Sequence, residues 1–197
     1  MPGFTRATAH RNHGFTLIEL LVVIAIATIL LGIGVPNLQS FLIKHRLSTQ
    51  ANDLHTALQF ARSEALRRNA PVTLRRVGAT GTGNWSAGWT LFSDANGNGV
   101  IDSSDVVLRE SPALPAPLTL YSSDKLASSL TFDGRGRAAS GGGSFVLCHG
   151  DDLAIDGQSR SRAVLINAAG RIRLGTDANQ DGVIETDTGA VSSCTQP

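Results

Sequence analysis

Between Leu17 and Val35 the chain runs for 19 residues with a single charge, Glu19, and no proline. An α-helix of that length rises about 28 Å at 1.5 Å per residue, close to the hydrocarbon thickness of a bilayer. A helix satisfies its own backbone in lipid, so the pattern predicts a membrane-inserted helix. Pro36 interrupts the apolar run, and a helical period resumes beyond it. Leu47, Ala51, Leu54, Leu58, Ala61 and Ala65 recur at steps of three and four, one face of an amphipathic helix. Arg46, Asn52, Asp53, Arg62, Glu64 and Arg67 occupy the other sides. Pro71 disfavours helical backbone just before it, which sets the end near Arg68. One rod over 16–68, kinked near Gly32/Gly34 and Pro36, is expected. Its amphipathic face should pack on the sheet of its own domain.

After residue 70 the period changes. Apolar segments at Val72–Val77, Gly88–Ser93, Val106–Glu110, Leu118–Tyr121, Ser129–Asp133, Ser144–Cys148, Arg162–Ala168 and Arg171–Gly175 are separated by glycine, proline, serine and aspartate. A helix followed by consecutive strands argues for an α+β fold with antiparallel pairing.

The 14 residues ahead of the apolar run carry Arg6, Arg11, His10 and His13 and no acid. Positive charge on a short flank keeps it cytoplasmic and sends the remainder across the membrane. A secretory signal would end in a small-residue cleavage site after the apolar run, whereas here the run passes straight into the amphipathic pattern. Glu19 is costly in lipid and calls for a partner. Gly14, Phe15, Thr16, Leu17, Ile18 and Glu19, followed by the apolar stretch and Pro36, resemble the class III signal of type IV prepilins and type II secretion pseudopilins. The resemblance implies that a prepilin peptidase cuts between Gly14 and Phe15 and N-methylates Phe15. It also implies that Glu19, fifth in the mature chain, meets the N-terminal amine of a neighbouring subunit during assembly.

The implied organisation is a leader over 1–14, a transmembrane half-helix over 15–36, an amphipathic half over 37–68 and a periplasmic β domain over 69–197. The whole chain has 17 Lys and Arg against 16 Asp and Glu; losing Arg6 and Arg11 leaves 15 against 16. So balanced a chain has no global attraction for nucleic acid, and any such binding must be local. Two cysteines, Cys148 and Cys194, lie on the oxidising side of the membrane and read as one disulfide.

Four blocks extend the resemblance: FARSEALRRNAPVTLRR (60–76), GWTLFSDANGNGVID (88–102), TFDGRGRA (131–138) and LINAAGRIRL (165–174). They look like the minor pilin FimT and minor pseudopilin GspH group. This implies a long N-terminal helix on an antiparallel β-sandwich-like periplasmic domain, a pilin-like fold that works by packing into a filament or its tip with other pilin or pseudopilin subunits.

No catalytic grouping stands out. His45, His55 and His149 accompany no recognisable nucleophile motif, and no glycine-rich phosphate loop precedes a lysine. The chain reads as a structural or binding protein, not an enzyme, with no obligatory cofactor. Asp94, Asn96, Asn98, Gly99, Val100, Asp102 and Asp105 fall at loop positions 1, 3, 5, 6, 7, 9 and 12 of a calcium-loop frame. Asp177, Asn179, Asp181, Gly182, Val183 and Glu185 repeat the frame, with Thr188 twelfth. Neither has the bidentate glutamate at position 12, so calcium competes with a plain Asx-rich turn.

Three arginine pairs have one residue between their members: Arg135/Arg137, Arg160/Arg162 and Arg171/Arg173. In extended chain each pair would share a face, roughly 6–7 Å apart, close to phosphate spacing. The alternative is solvated charge on strand edges. Gly170-Arg171-Ile172-Arg173 resembles the GRxR segment through which FimT-type pilins contact DNA, which implies weak, non-specific DNA binding there and makes the other pairs secondary candidates. Two roles follow. One is a minor pilin of a type IV pilus assisting DNA uptake; the other is a minor pseudopilin whose tip complex contacts secreted proteins.

Overall fold

The structure, a computed structural model, describes residues 15–78, 83–150, 152–155, 157–186 and 189–195, without the side chains of 33, 34, 36 and 37. Helix α1 spans Leu17–Arg68. The chain divides into two units, Met1–Ser40 and Phe41–Pro197.

In the first unit, the Thr16 hydroxyl caps the helix by accepting the Glu19 amide at 3.2 Å, which satisfies one of the orphan donors of the first turn. The apolar side chains that follow are exposed, Leu17 at 77% and Leu30 at 65%. Among the described residues no helix is long and apolar enough to cross a membrane; the apolar run of the sequence continues over Ile33 and Gly34, whose side chains lie outside the description. The expected kink near Pro36 falls on the same undescribed group, and Gly14 with the rest of the leader lies outside the described residues.

The second unit holds the remainder of α1 and the strands. The six expected face residues, Leu47, Ala51, Leu54, Leu58, Ala61 and Ala65, are all buried, and Ala57 joins them. The helix stops at Arg68 because Asn69 turns left-handed, φ 50°, and the Ala70 amide returns to the Ala65 carbonyl at 3.3 Å.

Strands β1 (Val72–Arg76), β2 (Trp89–Ser93), β3 (Val106–Ser111), β4 (Leu118–Ser122), β5 (Ser129–Phe132), β6 (Gly142–His149), β7 (Ala154–Ile155), β8 (Gln158–Ser159), β9 (Ser161–Asn167), β10 (Ile172–Leu174), β11 (Glu185–Thr186) and β12 (Gly189–Ala190) follow. They form two four-stranded sheets, in the orders β3-β2-β1-β5 and β10-β9-β6-β4, and two small hairpins, β7-β8 and β11-β12. Every pairing is antiparallel. The eight predicted strands are present with ends moved by one or two residues. The last shrinks from Arg171–Gly175 to Ile172–Leu174, because Arg171 belongs to the preceding turn.

One apolar cluster joins the helix face to both sheets through Leu74, Leu91, Leu130, Phe132, Leu120, Phe145, Val164 and Ile166. Trp85 anchors it, edge-on to Phe145 with centroids 4.9 Å apart, its indole N–H donating to Ser122 Oγ and the Leu126 carbonyl. Alternation on β6 and β9 sends the intervening residues the other way. Val146, Cys148, Ala163 and Leu165 meet Ile184, Val191 and Cys194 of the C-terminal segment. The second sheet is thus covered on both faces, and the Cys148–Cys194 disulfide fastens its outer cover.

Candidate functional site

The two loops at one end of the sheets are built alike. After β5 comes Asp133-Gly134-Arg135-Gly136-Arg137, and after β9 comes Asn167-Ala168-Ala169-Gly170-Arg171. In the first, the Asp133 amide donates to the Arg137 carbonyl (2.9 Å), the Gly136 amide to the Asp133 carbonyl (2.8 Å), and the Arg137 amide to Asp133 Oδ1 (2.9 Å). In the second, the corresponding distances are 3.1 and 2.8 Å, and the Arg171 amide donates to Asn167 Oδ1 at 2.9 Å. Each turn needs a left-handed residue at its fourth position, supplied by Gly136 (φ 74°) and Gly170 (φ 76°).

The twin turns touch. A Cβ added to Gly170 would lie 1.9 Å from the Gly136 carbonyl oxygen, so only glycine admits the contact. Arg62 of α1 joins them by donating Nε to the Gly136 carbonyl (2.9 Å) and Nη2 to the Ala169 carbonyl (3.3 Å). The Ala138 amide adds a bond to the Ala168 carbonyl at 3.2 Å. Sequence alone singled out the arginines and passed over Arg62 and the shared Asx-x-x-Gly-Arg frame, although that frame is visible once the two loops are aligned.

Beyond its turn, Ile172 packs on the core, while Arg171, which closes the turn, and Arg173, on the edge strand β10, are both exposed. The expectation of extended chain fails for Arg135/Arg137. Both lie in or beside the turn, since Gly136 reverses the backbone between them, and both are exposed. Arg137 is ion-paired to Asp133, Nη2 to Oδ2 at 2.9 Å. The Asp133 carboxyl is held below its usual pKa, chiefly by the bond from the Arg137 amide and then by its guanidinium and the Arg135 amide, against a desolvation cost. The matching position in the other turn, Asn167, has no charge.

Arg160/Arg162 is separate. Arg162 sits on β9, about 16 Å along the strand from Asn167 at 3.3 Å per residue. It is half-buried, donates Nη1 to the Ser161 carbonyl at 2.8 Å and reaches Ser48 of α1 at 3.4 Å. Desolvation lowers its pKa. Its guanidinium serves packing between helix and sheet, not a shared outward face.

In the first calcium-like loop the side-chain oxygens accept protein hydrogen bonds. Asp94 receives the Asn98 and Gly99 amides and the Thr73 hydroxyl. Asn96 and Asn98 receive the amides of Asn98 and Val100. Asp102 receives Ser104 and the Asn96 and Asn98 side-chain amides, and the Ser104 hydroxyl leads in lowering its pKa. Asp105 receives the Ala95 and Asp102 amides. In the second loop Asp177, Asn179, Asp181 and Glu185 cap backbone amides in the same way; Thr188 lies outside the described residues. Among the described residues no group of three or more His, Cys, Asp or Glu is arranged to hold a metal.

Residues 50–170 match the family described as Type II transport protein GspH, and residues 9–35 match the Prokaryotic N-terminal methylation motif. The pilin-like protein PilA1 of Thermus thermophilus is 41% identical over 87 residues, 44% of this chain and 51% of that protein. The chain thus spans about half the length of this curated relative. Among solved structures, the type IV minor pilin FimU of Pseudomonas aeruginosa aligns with a TM-score of 0.55 and 25% identity, over 78% of this chain and 98% of that one. A second crystal form of FimU gives 0.53 and 24%, over 75% and 99%.

Proposed function

The chain belongs to the GspH family, pilin and pseudopilin subunits of type IV pili and type II secretion, and from this premise we propose that it is a minor pilin of a type IV pilus with a local DNA-binding site. A prepilin peptidase removes the leader at Gly14. Phe15 becomes the methylated N-terminus, and the apolar helix holds the subunit in the inner membrane with its β domain in the periplasm. Glu19 then meets the terminal amine of a neighbouring subunit as the helix enters the filament. The role is structural and adhesive, not enzymatic.

One observation carries the DNA reading: two arginine-bearing turns are locked against each other at the start of β10, with Arg171 and Arg173 both exposed there. Such a patch neutralises a few phosphates and offers no helix to a groove, so binding is micromolar or weaker, sequence-independent and steeply salt-dependent. A second reading, a minor pseudopilin contacting secreted proteins, draws on the description of the matched family itself. Gene deletion in the source organism separates them. Loss of surface filaments and DNA uptake, restored by the parent gene but not by Glu19→Ala, supports the pilin. Loss of protein secretion with filaments intact overturns it.

A further inference from the structure

We propose that the residue opening each twin turn, Asp133 or Asn167, decides how far that turn's arginine is available to phosphate. This inference rests on the DNA reading and deepens it. The two turns share every backbone hydrogen bond, the glycine φ and the amide bond from the arginine to the opening side chain. They differ at the opening charge, Asp133 against Asn167, and at the third position, where Arg135, whose amide also donates to Asp133 Oδ1, stands against Ala169. Where the opening residue is Asp133, its second oxygen captures the guanidinium four residues on, Arg137, at 2.9 Å from both Nε and Nη2. Where it is Asn167 there is no anion to capture Arg171, and among the described residues no ion pair involves that guanidinium. The shared backbone geometry therefore presents the closing arginine of one turn, Arg171, to solvent phosphate and holds its counterpart, Arg137, partly in reserve. Gly136, Gly170 and Arg62 keep the two turns in contact.

The hold is modest. An exposed ion pair of this kind restrains its arginine by a factor of about five at most, so the gate biases affinity and does not switch it.

Asn and Asp are isosteric, and Oδ1 of either can accept the arginine amide, so the exchange leaves the turn intact. The full chain in detergent is titrated with random-sequence duplex DNA at 50 and 200 mM salt, following fluorescence anisotropy. Asp133→Asn is expected to tighten binding severalfold and to steepen the salt slope by about 0.9, one phosphate contact. Its gain should then be about threefold larger at the lower salt. Arg137→Gln alone should change little and should cancel that gain in the double variant. Asn167→Asp should weaken binding severalfold and flatten the slope by about the same amount. A gain from Asp133→Asn that survives Arg137→Gln would reflect bulk charge and overturn the gate. So would both exchanges binding like the parent while Arg171→Gln with Arg173→Gln loses affinity, an outcome that leaves the DNA reading standing. If the parent binds no DNA, or the double glutamine variant binds as well as the parent, the DNA reading itself fails and the gate with it. Because Asp133→Asn is a gain of binding, misfolding cannot imitate its expected result.

Discussion

Replacing Gly170 by alanine attacks the contact that unites the site. At φ 76° an L side chain costs about 1–2 kcal/mol. The new Cβ would also stand 1.9 Å from the Gly136 carbonyl oxygen, and backbone atoms at that distance must part by at least 1 Å, on the order of a full bond displaced. The Gly136 carbonyl is also the acceptor for Arg62 Nε at 2.9 Å. Its retreat lengthens that charged hydrogen bond, worth about 1.5–3 kcal/mol when fully formed and less at this half-exposed site. Together the terms give about 2–4 kcal/mol. For a chain of this size each kcal/mol lowers Tm by about 2–4 °C, so a fall of about 5–15 °C is expected by circular dichroism. Gly141→Ala is the control, because Gly141 has φ 84° with nothing within 4 Å of the added Cβ. It should show the backbone cost alone, about 2–8 °C. Equal losses at Gly170 and Gly141 would mean that the turns do not touch, and the account of a joined site would be wrong.

The disulfide between Cys148 and Cys194 closes a separation of 46 residues, for which chain entropy suggests about 4 kcal/mol; thiol titration of unreduced protein should find no free thiol, and Cys194→Ser should lower Tm markedly. Glu64 has its pKa lowered to about 2 by hydrogen bonds from Arg67 and then Arg68. A depressed carboxylate contributes stability that is complete above its unfolded value and vanishes as pH falls through the folded one. Glu64→Gln should therefore reduce the Tm difference between the pH region above 4.5 and that near 2, and an unchanged acid profile would discount the pair. Calcium chelation should leave Tm unmoved, because Asp94, Asp102 and Asp105 already satisfy loop amides and hydroxyls; a rise on adding calcium would make that loop a cation site.

The helix face and the strand sequence were legible because they rest on periodicity. Leu47 through Ala65 and the alternation of Phe145 and Leu147 against Val146 and Cys148 encode burial directly. The two short hairpins were not legible, since pairs such as Ala154-Ile155 and Glu185-Thr186 are too brief to show a period. Spacing sorted the arginines wrongly in two cases for different reasons. Arg135 and Arg137 have glycine between them, and a glycine with positive φ turns an i, i+2 pair away from a strand face. Arg162 occupies a strand position that looks outward by charge and yet reaches back to Ser48 on the helix, a contact set by tertiary packing. Joining of the 134–137 and 170–173 segments is a long-range fact, carried by Arg62 and two glycines far apart in the chain.

The claim that Arg171 and Arg173 engage DNA phosphate is tested most directly by the slope of log affinity against log salt. For the full chain in detergent with random duplex DNA, Arg171→Gln with Arg173→Gln should flatten that slope by about 1.8, two phosphate contacts. An unchanged slope with unchanged affinity would contradict the account and return these arginines to the status of solvated charge on a strand edge.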